Sequence, residues 1–349
     1  QQLVANRAID PESYQQFLRG KAALLQAQRA FAEQLALLEP VVAKNPDYAP
    51  AWAALARAYG FAAVDSTIAS PEGWARTRAD YEAKMVAAAR RAVELDPDLV
   101  EAQVQYTRTI SGPRKLALVE DSLTRALAVD PNNPEALEQY SSMILALGRV
   151  KEAVALKQRL HDLDPFIPVR NNNFAQALWL DGQTDAAIAL LMDSIGRVGR
   201  PGIGAESDLA RIYASMGRYQ DAADTLSPLL TTPRTPPLAQ QVRDGVSTAV
   251  GFLHSAAGKA ANPKTLPRLS AFYWLHLYTD VPERSLEAYD QPALGFSALG
   301  FLVHSSYSSV RKTERFKKIV RDQGLVAYWR ERGWPAFCRP VGADDFVCD

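Results

Sequence analysis

The sequence predicts an all-α fold built from repeated helical hairpins, and three observations support this. An Asp-Pro pair recurs every 34 residues, as Asp96-Pro97, Asp130-Pro131 and Asp164-Pro165. Between these pairs lie two segments whose apolar residues recur at helical spacing, and no convincing strand alternation is present. Because one hairpin cannot bury its own apolar face, such repeats stack on their neighbours. We therefore expect a superhelical solenoid.

The hairpins are assigned from their apolar positions. Trp52, Leu55, Ala56 and Tyr59 follow the large-x2-large-small-x2-aromatic order of the first helix of a tetratricopeptide (TPR) repeat. The later units place Tyr106, Tyr140, Phe174 and Leu209 at a matching core position. With a degenerate first hairpin that begins near Asp10, the sequence predicts five or six TPR hairpins over residues 1–234.

One insertion interrupts the array, and the period fades at its end. Pro46 and Pro97 lie 51 residues apart where 34 are expected, and the additional residues fall around 62–78. Insertions in repeats often form loops on the binding face, and a lengthened helical hairpin is the alternative. After residue 234 we expect residues 235–349 to form a helical cap, because solenoids need atypical end units. The cap ends in a tail that a disulfide can close.

Charge and hydropathy exclude several function classes. Lys+Arg and Asp+Glu both total 39, so no net field draws the chain to nucleic acid or to an anionic membrane. No apolar run approaches the roughly 20 residues that span a bilayer. Residues 1–8 lack the basic and apolar regions of a signal peptide, and the missing initiator Met indicates a fragment. We expect neither nucleic-acid binding nor membrane insertion by this region.

Catalytic and metal-binding patterns are absent from the sequence. None of the four histidines, His161, His254, His276 and His304, pairs with another at the i, i+4 spacing of a helical metal site. No Gly-rich phosphate loop follows a strand, and the Gly-x-Ser-x-Gly elbow of hydrolases is missing. We therefore expect a protein that is not an enzyme and that uses no cofactor or metal.

The two cysteines predict a covalent link in the tail. Cys338 and Cys348 lie ten residues apart in a turn-rich segment with Pro340 and Gly342. An even number of cysteines in such a tail favours a disulfide, which persists in oxidising compartments. Two free thiols in a cytoplasmic tail are the alternative. The cysteines thus favour a periplasmic location over a cytoplasmic one.

Segments at both ends carry a resemblance to a known family. Residues 311–316 (RKTERF), 324–330 (GLVAYWR) and 333–340 (GWPAFCRP) resemble the ending of a bacterial family of TPR regions. Those regions form the C-terminal parts of adenylate-cyclase-type and winged-helix-type signalling proteins. Residues 10–14 (DPESY) and 17–20 (FLRG) are similar to that family's approach to its repeats. The resemblance implies a regulatory module in a membrane-anchored parent protein, with a cyclase or DNA-binding domain upstream.

A binding groove is implied by the same likeness to TPR proteins. In proteins that resemble this one, the first helices line a concave face, and the residue after the small motif position points into it. That residue is Arg57, Arg108, Ser142, Gln176 or Arg211 in successive units. Glu138, Asn172 and Trp179 lie on the same face. Guanidinium groups match carboxylates, so the set predicts a groove for a peptide, a protein or a small anionic ligand. Ordinary solvated polar residues are the alternative.

Two function classes follow. The first is a non-catalytic binding or sensor module of a bacterial signalling or transcription-regulating protein. The second is a structural or dimerising spacer that holds an upstream output domain, so a homodimer is left open. A spacer needs no cluster of Arg, Asn and Trp side chains on one wall, and the chemistry of the groove therefore discriminates the two.

Overall fold

The structure is a computed structural model. The model describes residues 9–24, 31–64, 71–110, 115–198, 203–231, 238–255, 270–289, 296–343 and 345–349. The chain divides into two compact units. Unit 1 comprises Gln1–Ser111 and Leu118–Gln139, and unit 2 comprises Gly112–Ala117 and Tyr140–Asp349. The helix α7 contributes residues to both.

Helices dominate the described residues of both units. The repeat helices are α1 Pro11–Leu24, α2 Phe31–Lys44, α3 Ala49–Val64, α4 Pro71–Leu95, α5 Val100–Thr107, α6 Leu116–Val129, α7 Pro134–Ala146, α8 Val150–Leu163, α9 Pro168–Leu180, α10 Thr184–Val198, α11 Ile203–Ser215 and α12 Tyr219–Leu226. Consecutive helices pack as hairpins, for example α1 on α2, α3 on α4, α9 on α10 and α11 on α12. The all-α TPR prediction is confirmed.

The Asp-Pro pairs start the repeats by a local hydrogen bond. The Oδ1 atoms of Asp96, Asp130 and Asp164 each accept a hydrogen bond from the backbone N–H two residues later, at 3.1–3.2 Å. An aspartate side chain that bonds its own backbone in this way holds a turn. Such a turn separates the second helix of one hairpin from the first helix of the next.

Glycines close the turn inside three hairpins. Gly148, Gly182 and Gly217 have φ angles of 90°, 82° and 75°, in the region that side chains disfavour. Each follows the end of a first helix, α7, α9 or α11. At this turn the backbone adopts a left-handed conformation, and this explains the glycine in each of these three repeats.

Unit 1 contains the insertion and one departure from the predicted core. The helix α4 spans 25 residues, so residues 71–78 of the insertion extend a helix, and residues 65–70 lie outside the described residues. Tyr106, predicted in the core, is 39% exposed. Its neighbours Gln105 and Thr107 take the inward positions instead, because both hydrogen-bond to side chains of α7.

Unit 2 continues beyond the repeats into further helical segments. These are a 3₁₀ turn Ser227–Leu230, α13 Leu238–His254, 3₁₀ segments Ser270–Tyr278 and Pro282–Tyr289, α14 Phe296–Gly300, 3₁₀ turns Phe301–Val303 and Ser305–Tyr307, α15 Ser308–Arg311, α16 Glu314–Asp322 and α17 Leu325–Arg332. Phe252, Phe272 and Trp274 join the apolar core that α9 to α12 form. The division at residue 234 between repeats and cap stays a prediction.

A short β-hairpin ends the chain. Strand β1, Cys338–Val341, pairs antiparallel with β2, Asp345–Cys348, and a disulfide joins Cys338 to Cys348. Gly342 follows β1 with a φ angle of 61°. Four-residue strands of this kind are too short to be stable alone, and the disulfide supplies the missing constraint.

Candidate binding site

Five polar side chains come together in unit 1. Arg57 lies on α3, Gln105 on α5, and Glu135 and Glu138 on α7, while Arg108 follows the last residue of α5. We call this set the arginine–glutamate cluster. The three helices are the first helices of successive hairpins. We predicted the ligand groove on the face that these first helices line.

Glu135 holds the cluster together. Its Oε1 accepts a hydrogen bond from Arg57 Nη1, in an ion pair whose side chains are 15% (Arg57) and 18% (Glu135) exposed. Its Oε2 accepts a hydrogen bond from Gln105 Nε2 at 2.8 Å. The single carboxylate therefore links three helices that lie far apart in the sequence. Charge-assisted bonds of this kind are stronger than neutral ones.

Arg108 is the unpaired cation of the cluster. Its side chain is exposed, and among the described residues it makes no hydrogen bond or ion pair. Desolvation by the surrounding protein lowers the pKa of its guanidinium, and the charge of Arg57 lowers it further, while Glu135 and Glu138 oppose the shift. The residue as a whole is exposed, while its guanidinium loses part of its contact with water. An arginine stays charged despite such a shift.

The helix α3 supplies the space and an apolar surface beside Arg108. A Cβ atom at Gly60 would lie 3.7 Å from Arg108 Nη1 and 3.3 Å from Met85 Sδ, so glycine lets the guanidinium approach the backbone. The next residue, Phe61, is 36% exposed, and the Arg57 guanidinium lies 5.5 Å from its ring centroid. A charged group and an exposed ring are thus neighbours on one helix.

Two amide groups, one in the cluster and one beside it, have unused hydrogen-bonding atoms. Gln105 Oε1 and Gln139 Nε2 are buried and make no hydrogen bond among the described residues. The other atom of the Gln139 amide accepts a bond from Thr107 Oγ1 at 3.0 Å. One acceptor and one donor are therefore unsatisfied, and each such group costs about 1–3 kcal/mol.

The predicted groove residues of unit 2 have a different environment. Ser142, Gln176, Trp179 and Arg211 are 7%, 4%, 2% and 8% exposed, and Asn172 is half-buried. Ser142 Oγ accepts a hydrogen bond from Lys157 Nζ at 3.0 Å. In unit 2 these positions offer no open wall to a large ligand.

Residues 300–304 cover these positions. A Cβ at Gly300 would lie 3.3 Å from Gln176 Nε2, and the Phe301 ring centroid lies 3.6 Å from the Arg211 guanidinium. His304 stacks on Trp179 with ring centroids 3.7 Å apart. Burial, then the charges of Arg311 and Arg211, lower the pKa of His304 to about 4, so this imidazole is neutral at pH 7.

Sequence reasoning named Arg57, Arg108 and Glu138 but missed Gln105 and Glu135. Both missed residues lie on first helices, three residues before a named one (Gln105 before Arg108, Glu135 before Glu138). A spacing of three places side chains on one helical face, so this signal was readable. The partner of Glu135 was not readable, because Arg57 lies 78 residues away.

Among the described residues there is neither a metal-binding group nor a helix that could span a membrane. Within the described ranges, no three His, Cys, Asp or Glu side chains group as a metal site would need. No described helix combines the length and the hydropathy required to cross a bilayer.

Comparisons with known proteins bear on the fold. No family model matches the chain, and no curated protein matches it. Among solved structures, the human IFIT1 dimer with PPP-AAAA matches at a TM-score of 0.54 and 17% identity, over 91% of this chain and 71% of that one. The fold is of the TPR type.

Two further solved structures match at lower TM-scores. PilW, described as a widely conserved type IV pilus biogenesis factor, has a TM-score of 0.44 and 18% identity, over 63% of this chain and 93% of that one. Yeast Tom70 has a TM-score of 0.44 and 14% identity, over 95% of this chain and 67% of that one. At such identities a likeness concerns the fold alone.

Proposed function

We propose that this chain is a non-catalytic TPR binding module whose arginine–glutamate cluster binds a carboxylate of a peptide or protein partner. The observation that carries the proposal is Arg108, a charged and exposed guanidinium without a hydrogen bond or ion pair in the described residues. A fork of guanidinium donors matches a carboxylate in geometry and charge.

The neighbouring charges favour an anionic partner over a neutral one. Arg57 and Arg108 are close enough for their charges to repel, and Glu135 is already engaged by Arg57 and Gln105. A second carboxylate would relieve that repulsion at Arg108. Because the site is partly exposed, this attraction is screened over about 8–10 Å at physiological salt, and the affinity should fall as salt rises.

The amides and the exposed ring suit a peptide. Gln105 Oε1 and Gln139 Nε2 offer one acceptor and one donor, which are the complements of a peptide N–H and C=O. A small side-chain rearrangement would bring them to a ligand backbone. Phe61 can take an apolar side chain next to the carboxylate. An extended peptide that ends in an apolar residue and a free carboxylate satisfies all three contacts.

The resemblance of the C-terminal segments gives the proposal a biological setting. The module belongs, on this proposal, to a bacterial signalling or transcription-regulating protein, with residues 1–234 as the repeats, 235–349 as the cap and an output domain upstream. The Cys338–Cys348 disulfide supports the periplasm over the cytoplasm as its location. In this scheme the region itself binds neither nucleic acid nor membrane.

A structural or dimerising spacer is the second candidate. Two observations favour it: Arg57 is paired with Glu135, and Ser142, Gln176, Trp179 and Arg211 are buried in unit 2. A spacer would need no accessible cation in unit 1. A contribution of Arg108 to ligand binding therefore distinguishes the binding module from the spacer.

A peptide array tests the proposal. Extended peptides of varied sequence are synthesised in pairs, one with a free C-terminal carboxylate and one amidated. We expect binders only among the free carboxylates, lost with Arg108→Ala and kept with Arg90→Ala, an exposed arginine of α4. If no peptide binds, or if binding survives both substitutions, the structural spacer is the better-supported function.

A further inference from the structure

Arg211 of α11 is a buried cation without a proper partner. Its side chain is 9% exposed, and its Nε and Nη1 atoms make no hydrogen bond among the described residues. Its Nη2 lies 3.9 Å from Asp208 Oδ1, which is beyond hydrogen-bond distance. Two of its three guanidinium nitrogens are therefore buried and unsatisfied.

Arg311, in the same unit, shows what a structural arginine looks like here. It is 4% exposed. Its Nη1 donates to the carbonyl oxygens of Leu302, Val303 and His304 at 2.7–3.2 Å, and its Nε donates to the Asp349 carbonyl oxygen at 3.0 Å. These bonds fix the cap segment. Arg211 makes none of this kind, so tethering a loop does not explain its burial.

The surroundings of Arg211 are aromatic. The guanidinium lies 3.6 Å from the Phe301 ring centroid and 6.0 Å from that of Trp274. These faces contribute cation–π attraction but no hydrogen bonds. The charge of Arg211 also acts on the buried hydroxyls of Tyr289 and Tyr307, and the Tyr289 hydroxyl donates a hydrogen bond to the Ala298 carbonyl oxygen at 3.0 Å. A buried charge that lacks hydrogen bonds destabilises a fold.

We propose that Arg211 receives a small monocarboxylate at a closed site in unit 2, beneath the segment from Phe301 to Tyr307. The planar carboxylate accepts bonds from the free guanidinium nitrogens and neutralises one positive charge with one negative charge. A dianion such as phosphate fits poorly, because Asp208 would repel its second charge. This site is separate from the cluster in unit 1, and it requires a movement of the covering segment for entry.

Sodium acetate is the probe, at constant ionic strength against sodium chloride, with thermal unfolding of the full chain as the first readout. A ligand that binds only the native state raises the melting temperature, and the rise grows with the logarithm of the ligand concentration above its Kd. For a chain of 349 residues we expect a rise of about 2 °C for each tenfold increase of acetate above its Kd. Sodium phosphate at equal ionic strength should give a smaller rise. An equal or larger phosphate effect would contradict the monocarboxylate assignment.

Substitutions test whether Arg211 is responsible for the rise in melting temperature with acetate. The rise should disappear in Arg211→Gln and persist in Arg108→Ala and in Arg218→Gln, an exposed arginine of the same repeat. Saturation-transfer NMR of acetate should show contact with wild-type protein and none with Arg211→Gln. Arg211→Lys, which keeps the charge and loses the fork, should weaken acetate binding at least tenfold and serves if Arg211→Gln does not fold.

Stability without acetate separates the two arginines. Arg211→Gln should unfold at or above the wild-type temperature, whereas Arg311→Gln should unfold below it. The proposal is overturned if acetate raises the melting temperature of wild-type protein no more than sodium chloride does at equal ionic strength, or if Arg211→Gln responds to acetate as wild-type does. A failed unit 1 peptide assay would leave these results unaffected.

Discussion

The indole Nε1 of Trp329 donates a hydrogen bond to the carbonyl oxygen of Leu147, 182 residues earlier, at 3.2 Å. The next residue, Gly148, closes the turn after α7 and also lies against residues 335–337. A Cβ atom at Gly148 would lie 2.6 Å from Pro335 Cβ and 3.0 Å from Phe337 Cε1. The C-terminal motif therefore docks on a repeat turn within unit 2, and its aromatic residues have a structural use there.

Gly148→Ala should destabilise the protein more than Gly182→Ala. Both glycines have positive φ angles at the same repeat position, so both changes introduce backbone strain of about 1 kcal/mol. Only at Gly148 would the new methyl group also clash, since nothing lies within 4 Å at Gly182. We expect an additional loss of about 1–3 kcal/mol, measured by urea unfolding. Equal losses for the two variants would argue against the docking contact.

The disulfide should stabilise the C-terminal hairpin. Replacing both Cys338 and Cys348 with serine removes a link across a sequence separation of ten, and we expect a loss of about 2–3 kcal/mol. Urea unfolding of wild-type protein with and without reductant should reproduce the difference, and reductant should not affect the double variant. If wild-type protein isolated without reductant contains two free thiols by mass spectrometry, the disulfide and its support for a periplasmic location both fail.

Asp208 should make stability depend on pH. Burial raises its pKa from 3.8 to about 6, more than the charge of Arg211 lowers it, although 24% of the side chain is exposed. The folded state therefore favours the protonated acid. The stabilisation is fully present below pH 3.8 and is lost as pH rises through 6.

Asp208→Asn isolates this effect, since other groups titrate alike in both proteins. We compare the unfolding free energy of Asp208→Asn with that of wild-type protein at each pH. The difference should favour the variant more at pH 7.5 than at pH 4, by on the order of 1–3 kcal/mol. Urea unfolding at both pH values provides the comparison. A difference of the opposite sign would mean that the attraction to Arg211 outweighs burial.

Glu135→Gln should increase carboxylate binding in unit 1. The change frees Arg57 from its ion pair, so two guanidinium groups then face a ligand carboxylate instead of one. We expect the affinity for a carboxylate peptide to rise about threefold to tenfold, with a steeper salt dependence. Glu94→Gln, a charge removal at an exposed position of α4, is the matched control for net charge. Unchanged affinity in Glu135→Gln would place the ligand away from Arg57.

The repeat architecture was readable from the sequence because its determinants are local. The side chains of Asp130 and Asp164 bond the backbone two residues on, and Gly148 and Gly182 close the turns with positive φ angles. Each of these acts within one turn of chain. A short-range pattern that recurs at a fixed spacing therefore predicts the hairpins directly.

The state of the candidate site was not readable, because distant segments decide it. Trp179 and Arg211 occupy groove positions by repeat register, yet His304 and Phe301, about 90 residues or more away, cover them. Similarly, Arg57 meets Glu135 across 78 residues. Register shows which face a side chain takes, and only the packing of the rest of the chain shows what else lies on that face.

The most direct test of the binding proposal is a double-mutant cycle on Arg108. The affinities of one array-derived peptide, with a free carboxylate and as its amide, are measured by calorimetry for wild-type protein and Arg108→Ala. If Arg108 grips the carboxylate, the amide should bind wild-type protein about tenfold more weakly, and the two peptides should bind Arg108→Ala equally, with an unchanged melting temperature. If the carboxylate peptide keeps its advantage in Arg108→Ala, the central claim is wrong.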